Sequence, residues 1–134
     1  MPPVQEATDS TTTREDDAEP LNPSVLTGLR ELQVEGEPDL LDELIELFLT
    51  DVPPLLIVLR EAVEGGDAHS VERSAHTLKG SCSSMGAIRM AEICEKLRET
   101  GTTGDLVQTS VLFNQLETEF NRVRSEFAAD QRAN

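Results

Sequence analysis

Neither tryptophan nor tyrosine occurs in the 134 residues, and phenylalanine occurs four times. With only two cysteines the chain lacks the material for a disulfide-stapled scaffold. Positive charge is scarce: 11 lysines and arginines face 26 acidic residues, a formal net charge of −15. Such a field repels phosphate backbones and anionic lipid, which argues against nucleic-acid or membrane partners. Asp, Glu or Arg interrupts every apolar run before it reaches bilayer-spanning length. The first residues show neither the basic start nor the apolar segment of a secretion leader. A soluble cytoplasmic protein is the expectation.

What is present is unevenly spread. In MPPVQEATDSTTTREDDAEPL, residues 1–21, six acidic side chains meet only Arg14, a net of −5 out of −15. Few apolar residues, with Pro and Thr in excess, predict a disordered acidic tail, because nothing offsets the entropy of ordering it. One domain over 22–130 and a short tail over 131–134 complete the expected organisation. No repeat is visible.

From Asn22 onward the apolar spacing is helical. Asn22-Pro23 reads as N-cap and first residue of a short helix ending near Glu35-Gly36. Pro38 opens a second helix with Leu41, Leu44, Ile45, Phe48, Val52, Leu55, Leu56, Leu59 and Val63 in register. That register continues through Pro53-Pro54 and predicts one helix bent there, with two separate helices as the alternative. A third helix spans about Asp67 to Met85, stopped by Gly86. A fourth carries Ala87, Met90, Cys94 and Leu97 and ends at Gly101. A fifth, from about Asp105, aligns Leu106, Phe113, Leu116, Phe120, Val123 and Phe127. Short links between amphipathic helices predict an all-α, antiparallel up-down four-helix bundle with a short accessory N-terminal helix. Its stripes are long enough to bury one another, so a monomer is expected. Counting outward from the Gly86 turn offsets Cys82 and Cys94 by roughly 6 Å along the axes. A disulfide is therefore not expected, and both read as small buried apolar residues.

The third helix holds the residues that ask for a function. Stepping about 100° per residue places Val71, Ala75, Leu78, Cys82 and Met85 within a sector of roughly 80°, the buried stripe. His69, Glu72, His76, Lys79, Gly80 and Ser83 share a neighbouring polar sector. His76 thus stands on the open face, with Lys79 and Gly80 one turn on and Ser83 two turns on. Imidazole retains a large neutral, nucleophilic fraction near pH 7, and a ring nitrogen can attack phosphorus. Lys79 supplies a compact positive charge for phosphoryl oxygens. Gly80, at a helix-interior position where glycine costs about 1 kcal/mol relative to alanine, leaves room for a second protein to approach the ring. Phosphoryl transfer depends chiefly on such positioning.

His76-Thr77-Leu78-Lys79-Gly80, followed by Ser81, Cys82, Ser83, Ser84, Met85 and Gly86, closely resembles the signature of histidine-containing phosphotransfer (HPt) domains. The resemblance extends over GEPDLLDELIELFLTDVPPLLIVLREAVEGGDAHSVERSAHTLKG and covers about residues 22–128. It implies a bundle whose histidine takes a phosphoryl group from the receiver-domain aspartate of a hybrid sensor kinase and passes it to a response regulator. On that carry-over His76 is phosphorylated, Lys79 is the nearby charge and Gly80 the close-approach position. Ser83 is a weaker candidate for a hydroxyl near the phosphoryl group. No cofactor or metal is expected on this chain, Mg²⁺ belonging to the receiver partner.

Other readings are bland. His69 lies two turns, about 10 Å, from His76, too far to share a metal. Arg73 and Arg89 read as exposed arginines, Glu72 and Glu92 as surface charges. A kinase would need a glycine-rich nucleotide motif, which the chain does not contain. The reading is of a phosphocarrier rather than an enzyme. The competing reading is an interaction-only bundle that binds a receiver or kinase without being phosphorylated.

Overall fold

The computed structural model describes residues 19–133. Its helices are α1 Pro23–Glu31, α2 Leu40–Glu64, α3 Ala68–Ser84, α4 Ile88–Thr103 and α5 Leu106–Ala133. Four of them begin at a side chain that accepts a first-turn backbone N–H. Asn22 takes that of Ser24 at 2.9 Å, Asp39 that of Asp42 at 3.0 Å, Asp67 that of Ser70 at 3.2 Å and Asp105 that of Gln108 at 3.0 Å. Each cap satisfies a donor with no intrahelical partner, and each sits where the sequence changes from loop to periodic pattern.

Two boundaries differ from expectation. The first helix stops at Glu31 rather than near Glu35-Gly36. Gln33 organises the link instead: its Nε2 donates to the carbonyls of Glu37 and Pro38, and its Oε1 accepts from the Leu40 N–H at 2.6 Å. Those contacts satisfy backbone groups of the link that leads into α2. The fourth helix passes through Gly101 and ends at Thr103, with Gly104 in the left-handed conformation as its cap. Gly101 lies against α3, where an added Cβ would meet Val71 Cγ1 at 3.1 Å and the Ala68 carbonyl at 3.3 Å. It is a close-approach residue rather than a stop. α2 is one helix through Pro53 and Pro54, and α5 runs to Ala133.

α2 to α5 form the bundle: each packs on its chain neighbour, and α5 closes back on α2. The expected stripes of α3 and α4 are buried in full. In α2, Leu44 and Leu55 are only partly covered, and the rest of the stripe is buried. In α5, Leu106 is 54 % exposed, because at the first residue of the helix it lies over Gly66 rather than between helices. Phe48 of α2 meets Phe127 edge-on at 5.6 Å between centroids and Phe120 at 6.3 Å, which joins the first and last bundle helices. Arg60 pairs with Glu117 across the same seam.

α1 covers one end of the bundle. The Asn22 N–H donates to the Gly86 carbonyl at 2.8 Å, and Arg30 pairs with Asp130 of α5. Of the acidic tail read over 1–21, residues 1–18 lie outside the described residues. Leu21 belongs to the core, 6 % exposed.

Candidate functional site

α3 carries the site, and its two ends hold it in register. At the start the Asp67 carboxylate accepts from both the hydroxyl (2.8 Å) and the N–H of Ser70, which hold it below the usual carboxylate range. At the end Gly86 turns the chain with φ of +74°, and α4 returns antiparallel. Val71, Ala75, Leu78 and Cys82 then point inward. Four buried side chains over three turns fix the azimuth of the helix. His76, Gly80 and Ser83 are consequently exposed, and Lys79 is half-buried.

The space around Gly80 is empty: an added Cβ would have nothing within 4 Å. Its backbone does not lie in the left-handed region either. Nothing among the described residues therefore requires glycine here, although helix propensity disfavours it. Beside His76 runs an open groove between α2 and α3, bordered by Leu55, Val58, His69, Arg73, His76 and, from α4, Arg98. The α2 wall is apolar, with Val58 50 % exposed. Ser83, two turns beyond His76, does not border this groove.

Towards α4 lies an ion cluster that shares Glu72 and Arg98 with this groove. Lys79 Nζ donates to Glu95 Oε1 of α4 at 3.0 Å. Arg98, one turn on in α4, grips the same carboxylate through Nε at 3.1 Å and Nη2 at 3.0 Å. Its Nη1 lies 3.8 Å from Glu72 Oε2. Arg98 first, and Lys79 second, hold the Glu95 carboxyl down at about 2. The carboxylates in turn raise the Arg98 guanidinium, Glu95 contributing most. Lys79 is thus not a free cation beside His76 but one arm of a network that crosses to α4.

The sequence pattern did not single out Glu95 and Arg98. One signal could have found them. Lys79 lies seven residues before the Gly86 turn and Glu95 nine after it, so an antiparallel hairpin brings the two to nearly the same level. Arg89 needs correction: it is 8 % exposed and bonded to Glu92 at 2.7 Å, so it is no open partner contact. Packing against the bundle buries its stem, and Glu92 neutralises its head. The cysteines are free and buried as expected. Cys82 first, and burial second, push the Cys94 thiol above the ordinary thiol range. Among the described residues no three His, Cys, Asp or Glu side chains gather as a metal site, and no helix is long and apolar enough to cross a membrane.

Comparison with known proteins yields one family. The model of the Hpt domain matches residues 43–126. Histidine-containing phosphotransfer protein 5 of Arabidopsis thaliana is 38 % identical over 74 residues, covering 53 % of this chain and 47 % of that protein. Pseudo histidine-containing phosphotransfer protein 1 of Oryza sativa subsp. japonica is 29 % identical over 100 residues, 73 % of this chain and 54 % of the relative. The chain thus spans about half the length of these plant relatives. The crystal structure of histidine-containing phosphotransfer protein B from Pseudomonas aeruginosa PAO1 superposes with a TM-score of 0.77 at 32 % identity, over 87 % of this chain and 98 % of that one. With the matched model spanning α2, α3, α4 and most of α5, and a solved relative sharing almost its whole length, this chain belongs to the Hpt domain family of phosphorelay proteins.

Proposed function

We propose that this chain is a cytoplasmic, monomeric phosphocarrier that accepts a phosphoryl group on His76 and hands it on. The donor is a receiver-domain aspartate of a hybrid sensor kinase, and the acceptor is the aspartate of a response regulator. The observation that carries this reading is Gly80. An open position one turn from an exposed histidine, with no internal reason to be glycine, is explained by a second protein approaching the ring.

The step balances without any group of this chain besides the imidazole. The lone pair of the neutral ring attacks phosphorus in the aspartyl phosphate. The N–P bond forms as the P–O bond to the aspartate breaks. Aspartate leaves as a carboxylate, and the other ring nitrogen keeps its proton, leaving a positively charged ring on a dianionic phosphoryl group. Lys79 can turn from Glu95 towards the phosphoryl oxygens, and its positive charge favours them. Transfer onward is the reverse reaction with a different carboxylate. Any Mg²⁺ belongs with the receiver. Ser83 has no assigned part beyond the exposed face it shares.

Relatives named as pseudo phosphotransfer proteins make binding without phosphorylation the competing reading. Both are tested by incubating the chain with radiolabelled phospho-receivers and following acid-labile, base-stable label. Wild type should take up label and His76→Gln should not. Equal labelling of the two would refute the assignment of His76. If neither phospho-receivers nor the small donor potassium phosphoramidate labels wild type, the binding-only reading stands.

A further inference from the structure

The segment before α1 is anchored on the bundle. Pro20 and Leu21 are buried, and Pro20 shares an open cleft with Thr118, Asn121, Arg122, Ser125 and Glu126 of α5. Two residues on, the Asn22 N–H donates to the Gly86 carbonyl, at the turn that leads into α4. The chain therefore crosses one end of the seam between α4 and α5, on the side of the bundle away from the α2–α3 groove at His76. Three of the 11 lysines and arginines stand on this seam. Thr109 Oγ1 donates to Thr100 Oγ1 at 3.3 Å, so the Thr100 face of α4 looks towards α5. Lys96, which is exposed, lies one turn before Thr100 on that face, and Arg89 two turns before Lys96. Counted antiparallel from the threonine contact, Lys96 is level with Phe113, and Arg89 with Phe120, two residues from Arg122. Arg89 and Arg122 each hold a carboxylate of their own helix, Glu92 and Glu119, at 2.7 Å, and Glu126 stands at the rim of the cleft. Three cations thus balance three acids here, whereas residues 31–59 carry eight acidic side chains and no Lys, Arg or His. An acidic segment is repelled far less by the seam than by α2.

We propose that the acidic stretch Glu15-Asp16-Asp17 straps the α4–α5 seam, its carboxylates meeting Lys96 and Arg122 while Arg89 adds its charge from within. These residues stand three to five positions before Pro20, a reach of about 10–17 Å for extended chain. Arg122 borders the Pro20 cleft itself, and Lys96, level with Phe113, is five residues or about 8 Å of helix rise from Thr118 at the near end of that cleft. Both cations lie within reach. His76 does not: it is ten residues, about 15 Å of rise, from the Gly86 turn and faces the opposite side of the bundle, so the path round the surface is longer than the segment. The composition of the tail offers nothing of its own to offset the entropy of ordering it, and fixed cations on a folded surface supply that offset from outside. Together with Glu19, the strap ties four carboxylates to the far side of the molecule and keeps their charge off the groove at His76. It does not depend on phosphorylation of His76.

The test places a nitroxide label on Thr12→Cys in the full chain. Cys82 and Cys94 are 0 % exposed, so the label goes to position 12 alone. Paramagnetic broadening of backbone amide signals is compared at ionic strengths of about 0.01 M and about 1 M, between which the screening length falls from about 30 Å to about 3 Å. At low salt the amides of Lys96, Thr118 and Arg122 should lose intensity several-fold more than those around His76, and the difference should vanish at high salt. Lys96→Gln should weaken the effect. Glu15→Gln/Asp16→Asn/Asp17→Asn should abolish it, and because that variant alters no side chain of the bundle, the loss cannot come from unfolding. Mixing spin-labelled chain with unlabelled ¹⁵N-enriched chain should show no broadening, since the strap belongs to its own molecule. Even broadening of all exposed amides, broadening centred on His76, or a pattern indifferent to salt and to the charge variant would each overturn the strap. Broadening in the mixture would overturn it in favour of a contact between two copies.

Discussion

At the scale of single residues the site opposes stability to access. Gly80 is exposed, helical and free of neighbours, so alanine there should simply strengthen α3. Helix propensity puts the gain at about 1 kcal/mol, measurable as a higher urea midpoint. A larger side chain should show why glycine is present: Gly80→Leu should accept phosphoryl from a receiver far more slowly, yet be labelled by potassium phosphoramidate as fast as wild type. Unimpaired transfer from the receiver to Gly80→Leu would remove the close-approach role. This residue was legible early, because helical spacing alone sets His76, Lys79 and Gly80 on one face. Glu95 and Arg98 were not, since their place beside His76 depends on how α4 is rotated against α3. That rotation is set by Met90, Cys94 and Leu97 packing inward, a tertiary fact that no spacing within α3 contains.

At the scale of elements, the α3–α4 hairpin depends on glycines that do different things. Gly86 and Gly104 both have positive φ, +74° and +78°, and both follow the last turn of a helix. A Cβ on Gly104 would meet nothing, whereas one on Gly86 would come within 2.9 Å of Val25 Cβ in α1. Gly104→Ala should therefore show only the left-handed strain, about 1 kcal/mol. Gly86→Ala adds the clash and should destabilise by about 2–3 kcal/mol, with α1 partly displaced. Equal urea midpoints for the two variants would show that α1 yields freely at this end. Sequence alone ranks Gly86 and Gly101 alike as helix stops and does not single out Gly104. Only packing separates them: Gly101 lets α4 approach α3, Gly104 ends α4, and Gly86 both turns the hairpin and seats the accessory helix.

At the scale of the whole molecule, charge and shape were legible to different extents. The bundle follows from amphipathic stripes and short links, and the long α2 through Pro53-Pro54 follows from an uninterrupted register. Surface placement did not follow: Leu106 kept the register and is exposed, while Arg89 looked like a surface residue and is buried. Charge has a longer reach than either. With a formal net charge of −15, the field extends well beyond the contact zone at low salt, whereas the His76 face itself mixes Arg73, Lys79 and Arg98 with Glu72 and Glu95. Long-range attraction and short-range recognition are then separable. A receiver whose docking face is net positive should associate several-fold more slowly as ionic strength rises from about 0.01 M to about 0.1 M, where the screening length falls from about 30 Å to about 10 Å. Dissociation should change much less, because contacts closed within the interface lie inside the screening length throughout. Stopped-flow mixing with such a receiver across that range separates the two rates. An association rate that does not move with salt would mean that the −15 charge does not steer the encounter, and that the small mixed face around His76 alone selects the partner.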